Sequence, residues 1–138
     1  MELYTSHWGN KELTDLAAVP IAISRGKPRW RLPYRYRVLG QLAPSREVFG
    51  IEDPNRFDEA YRRQLDELGV ERVLCELGRI GAQHGGTPLV LLYWEPPEQP
   101  CHRRVLARWL EERAGVVALE LESGMIPYAS PPNQEPLF

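Results

Sequence analysis

Leu89-Val90-Leu91-Leu92-Tyr93-Trp94, followed closely by Pro100-Cys101-His102-Arg103-Arg104, is the stretch whose reading decides the fold. An unbroken apolar run of this length, bounded by polar turn residues, describes a buried strand. Pro100 then suits the first position of a helix, where the N–H it lacks would be unpaired anyway. That helix carries Val105, Leu106, Trp109 and Leu110 on its inward stripe and Arg104 and Arg108 toward solvent. Gly115 ends it, and Val116 to Leu121 reads as one further strand.

Working outward, the same alternation recurs. Glu2 to Ser6 reads as a first strand, with a short helix near Lys11 to Ala17 and a second strand from Val19 to Ser24. Between Arg25 and Asp53 the density of Pro and Gly predicts mostly irregular chain. Phe57, Tyr61, Leu65 and Leu68 share one helical face over 55–68, with Asp53 or Asn55 available as a cap. Gly69 interrupts the pattern before a second helix striped by Val70, Val73, Leu74, Leu77 and Ile80. His84-Gly85-Gly86 is a turn into the buried strand. Strands alternating with helices imply an α/β fold: one compact domain with a small, mainly parallel sheet flanked by helices, Rossmann-like in plan. The domain is expected over 1–122, with 123–138 a loosely packed proline-rich extension.

Composition bounds the function classes. The chain has 138 residues, a formal net charge of −2, 26 % charged and 43 % hydrophobic residues, all ordinary for a soluble domain. No apolar run approaches the roughly 20 residues that span a bilayer, and the first ten residues lack the build of a secretory leader. Two cysteines do not make a disulfide framework, so Cys75 and Cys101 are read as reduced thiols of a cytoplasmic protein. Charge is unevenly spread. No acidic residue occurs from Leu16 to Arg46, a stretch holding Arg25, Lys27, Arg29, Arg31, Arg35, Arg37 and Arg46. A basic segment in a mildly acidic chain points to a local anion contact.

In open parallel sheets, ligands bind beyond the carboxyl ends of the strands. That rule gathers Thr5, Ser6, His7 and Trp8 from the first strand, Ser24, Arg25 and Lys27 from the second, and Trp94 and Glu95 ahead of Cys101. Two readings follow. In the first the rim holds a phosphorylated ligand, a nucleotide or a nucleic-acid segment. Arg103, Arg25 and Lys27 take phosphate, and Trp30 or Trp8 offers a stacking face. In the second the protein is a thiol-dependent enzyme. Cys101, its pKa lowered by a helix N-terminus and nearby cations, is the nucleophile, His102 or Glu95 handles protons, and Arg103 stabilises developing charge.

Against both stand plainer roles: Cys101 as a small apolar residue, His102 bonded to a backbone carbonyl, Glu95 orienting Arg103. In Arg29-Trp30-Arg31 and Tyr34-Arg35-Tyr36-Arg37, cations alternate with rings. Such a segment either binds single strands or packs its rings inward beneath solvated arginines. A third class, a protein-interaction module docking through the proline-rich tail, also stands. No structural-zinc spacing, phosphate-binding glycine loop or nucleophilic serine elbow occurs, and no cofactor is expected.

The stretch from Val90 to Arg113 resembles the signature of domain-of-unknown-function family 488. The resemblance is carried by Tyr93-Trp94-Glu95, then Cys101-His102-Arg103-Arg104, then Trp109-Leu110-Glu111. Leu3-Tyr4-Thr5-Ser6 and Ala22-Ile23-Ser24-Arg25 are similar to that family's early segments. Family members often have a cysteine two residues before the glutamate; Tyr93 stands there, so a two-thiol mechanism is not implied. The resemblance implies a compact α/β domain and brings no assigned activity with it.

Overall fold

Among the described residues, five strands and four α-helices follow the order that the hydrophobic pattern implies, with one short strand and one short helix that it does not. The computed structural model describes residues 1–26, 28–93 and 102–129, with His102 and Arg103 described in their backbone only. The strands are β1 (Leu3–His7), β2 (Val19–Ala22), β3 (Arg37–Val38), β4 (Leu89–Tyr93) and β5 (Ala118–Glu120). The helices are α1 (Arg46–Phe49), α2 (Pro54–Leu68), α3 (Val70–Gln83) and α4 (His102–Ala114), with 3-10 turns at Lys11–Thr14 and Gly40–Leu42.

All five strands are parallel, in the order β3-β2-β4-β1-β5. The apolar run makes β4 the centre of the sheet. It pairs with β1 from Leu3↔Leu89 to His7↔Tyr93 and with β2 from Val19↔Leu89 to Ala22↔Leu92, and all five of its residues are buried. Only a strand covered on both faces tolerates such a sequence.

The two faces are covered differently. Leu3, Ile21, Ile23, Leu89, Leu91 and Tyr93 pack against α2, α3 and α4 through Tyr61, Leu65, Leu77, Leu106, Trp109 and Leu110. On the opposite face Ala22, Val90 and Leu92 are covered by Trp8, Leu13, Leu16 and Ile126, with Tyr34 and Tyr36 packed alongside. The cover on that side is loop and a 3-10 turn, not α-helix.

Local chemistry sets the helix limits. Asp53 caps α2 by accepting from the Asn55 N–H at 2.9 Å, and Pro54 occupies the first turn. Gly69 separates α2 from α3 at φ +93° and ψ 130°, a backbone region that essentially only glycine enters. α4 is tied to α2 on its outer side. Trp109 Nε1 donates to Asp66 at 2.8 Å, Arg113 binds the same carboxylate with two nitrogens, and Arg62 bonds Glu112.

The stretch 25–53 is mostly irregular, as its Pro and Gly content predicts, with β3, a 3-10 turn and the Ser45-capped α1 as its short elements. One expectation needs revising. The extension is not loose in its described part, 123–129. Ile126 is 3 % exposed, the Ala17 N–H donates to the Pro127 carbonyl at 2.9 Å, and Leu16 bridges to Tyr128. An apolar residue among prolines was enough to dock it.

Candidate functional site

β1 and β4 are hydrogen-bonded neighbours, and the Trp8 N–H donates to the Tyr93 carbonyl at 3.0 Å just past their last paired residues. The next described elements cover opposite faces of the sheet: Trp8, Leu13 and Leu16 after β1 on the loop side, and α4, which begins with His102 and Arg103, on the helix side. In open parallel sheets, ligands bind beyond the carboxyl ends of strands that send the chain to opposite faces.

An open cleft of about 160 Å³ lies between α4 and the β1–β5 edge, lined by Thr5, Arg104, Ala107, Arg108, Ala118 and Glu120. The register explains it. Thr5 and Glu120 are paired across β1 and β5. Small side chains at Ala107 and Ala118 leave the gap, and Arg104 and Arg108, one helical turn apart, border it from the first two turns of α4. Both arginines are exposed, whereas Thr5 is 2 % exposed and lies at the floor. Among the described lining residues, two guanidinium groups stand with one carboxylate, and the fork geometry of arginine favours phosphate or carboxylate oxygens.

The structure divides the residues expected at the rim into three groups. Thr5 joins Arg104 in the cleft. Ser6 and Trp8 instead organise the loop side. Ser6 accepts from Asn10 Nδ2 at 3.0 Å, and Trp8 Nε1 donates to Ser24 Oγ at 3.0 Å, which itself donates to the Gly26 carbonyl. Trp8 is 2 % exposed, with the ring of Tyr36 edge-on at 4.9 Å, so it is a core residue and its faces are not open for stacking. The third group, Arg25 and Trp30, is exposed. Arg25 reaches the Pro44 carbonyl at 3.4 Å on the β2 side, away from the β1–β5 cleft. His7 ends β1 partly buried. Lys27, Trp94, Glu95 and Cys101 lie outside the described residues.

The ring-and-cation segment adopts a divided arrangement. Tyr34 and Tyr36 turn inward: the Tyr34 hydroxyl donates to the Trp8 carbonyl at 2.7 Å. Burial, with a smaller contribution from Tyr36, pushes the Tyr34 pKa up to about 12, so it remains a neutral donor. Arg29, Arg31 and Arg35 are exposed, Trp30 is 54 % exposed, and Arg37 is engaged by Gln83 and His84.

Arg104, Arg108 and Glu120 were not among the residues expected at the site; the helical pattern puts both arginines toward solvent. For Arg108 a signal existed: its spacing of four from Arg104 repeats a cation on one stripe of the helix after the central strand. For Glu120 there was none, because nothing local says that β5 pairs with β1.

A family model described as Domain of unknown function DUF488 matches residues 8–110. No curated protein and no solved structure matches the chain.

Proposed function

The chain belongs to the DUF488 family of domains of unknown function, and from that premise we propose that its carboxyl-edge rim recognises a phosphorylated ligand, a nucleotide or a nucleic-acid segment. One observation carries the reading: Arg104 and Arg108 border a cleft lined by the buried Thr5 of β1. The roles are separable. Arg104 and Arg108 take phosphate oxygens as charge-assisted donors, and the Thr5 hydroxyl adds a short neutral bond. Arg103 and the backbone N–H groups of the first turn of α4 add positive potential at the same end. Glu120, opposite Thr5, accepts from a hydroxyl or amine on the remainder of the ligand and so favours a nucleotide over bare phosphate.

Calorimetric titration with nucleoside monophosphates tests this. Binding by the wild type, lost by about tenfold or more in Arg108→Ala and in Arg104→Ala, is the expected result. Unchanged affinity in both variants, with the fold intact, contradicts it.

A second reading has its own support. Cys101 immediately precedes the first residue of α4, on the connection that leaves the central strand. A thiol there is the natural nucleophile of a thiol-dependent enzyme, with His102 or Glu95 as proton carrier. Alkylation of Cys101 well below pH 8, with the exposed Cys75 on α3 as internal reference, is its expected signature. A Cys101 that reacts no faster than Cys75 at any pH removes it.

A further inference from the structure

We infer that the basic arm between β2 and β3 is a docking surface for single-stranded nucleic acid, separate from the rim cleft. Its charge is one-signed: Arg29, Arg31 and Arg35 are exposed, and no acidic residue occurs anywhere from Leu16 to Arg46. Trp30, between two of these cations, is 54 % exposed, whereas Trp8 and Trp109 are buried. The segment thus presents a half-exposed indole flanked in sequence by two exposed guanidinium groups. It matches what an unpaired strand presents, phosphates to neutralise and base faces to cover.

The arm is also held in shape. Its inward rings, Tyr34 and Tyr36, are fixed on Trp8 by a hydrogen bond and an edge-on ring contact, and Pro28 is buried beneath it. Anchoring alternate residues inward leaves the arginines outward without further ordering cost, which is the benefit of a preorganised surface. Arg37 is not part of it, because its guanidinium is committed to Gln83 and His84. An anionic membrane would use the cations equally but would gain little from one ring, and a duplex would leave Trp30 without an unstacked base. The single strand uses both features.

The test uses the full chain and a labelled oligothymidylate of about 12 nucleotides, followed by anisotropy over a range of salt. The wild type binds, and Arg29→Ala, Arg31→Ala and Arg35→Ala combined reduce the salt slope by about 2. Trp30→Ala weakens binding roughly tenfold and removes the fluorescence quench that stacking produces. These substitutions lie on exposed side chains, and circular dichroism checks the fold. Equal affinity for an abasic strand of the same charge, or equal binding by wild type and triple variant, overturns the inference. So does stronger binding to phosphatidylserine vesicles than to the strand. Arg108→Ala runs in parallel: a strand bound through the arm by a protein that binds no mononucleotide leaves the arm standing and removes the rim reading. Mononucleotide binding lost in Arg108→Ala, with strand binding untouched by the arm variants, does the reverse.

Discussion

Trp8 shows how one side chain can be read as ligand contact and turn out to be architecture. It follows β1 in sequence, beside a histidine, where a loop aromatic invites a binding role. Its indole is instead sealed beneath Tyr36 and hydrogen-bonded to Ser24, joining the ends of β1 and β2. Trp8→Ala is expected to cost about 3–5 kcal/mol, as for other buried large aromatics, and Ser24→Ala about 1–2 kcal/mol by leaving the indole N–H without its acceptor. Urea denaturation measures both; a loss under 1 kcal/mol for Trp8→Ala would mean the ring is not core. Asp66 gives a second test at this scale. The Arg113 guanidinium first, and the Trp109 N–H second, hold its carboxyl below the ordinary value. A carboxylate with a lowered folded-state pKa contributes stability that is present above its unfolded pKa and lost as pH falls through the folded one. Solvent screening of this partly exposed pair keeps the contribution below about 1 kcal/mol. Stability of the wild type should therefore exceed that of Asp66→Asn above about pH 4, with the gap closing at lower pH. A gap that stays constant to pH 2 would contradict the assignment.

Elements were legible where their causes are local. The Asp53 cap, the Phe57-Tyr61-Leu65-Leu68 stripe and the break at Gly69 all act within a few residues, and α2 and α3 lie where those signals put them. The apolar run at 89–93 is equally self-contained. β3 was not legible, and the reason is physical. Two residues, one of them the 66 % exposed Val38, carry no periodicity; they are extended only because β2 offers an edge to Ile21 and Ala22. Lengths at the ends shifted for the same cause, since β2 and β5 stop where their neighbours stop pairing. Gly69→Ala makes the element-scale prediction. No side chain crowds that position, so a penalty there is purely conformational. About 1–3 kcal/mol of destabilisation is expected from φ +93°, read as a shift in the urea midpoint. A neutral substitution would show that the α2–α3 joint is not held in that conformation.

At the scale of the molecule, order and register are non-local, and they decide the site. Alternating strands and helices foretold a parallel sheet, and the rule about carboxyl ends singled out the edge on which the proposed site rests. Neither reveals that β5 lies against β1, so Thr5 was foreseen and Glu120 was not. The motif that first drew notice contributes through Arg104, one turn inside the helix. Part of the proline-rich extension proves to be structural. Ile126→Ala should cost about 2 kcal/mol or more, because its side chain completes the loop-side core; a thermal melt indistinguishable from wild type would make that contact dispensable. Topology, then, keeps the exposed arginines of the β2–β3 arm apart from those of α4, which border the cleft at the β1–β5 edge.

The most direct test of that edge is an amide chemical-shift titration of the labelled protein with a nucleoside monophosphate. Saturable shifts centred on Thr5, Arg104, Ala107, Arg108 and Glu120, spreading to His7 at the carboxyl end of β1, are the predicted result. An absence of shifts at millimolar ligand, or shifts confined to residues remote from the carboxyl ends of β1 and β4, would contradict the account.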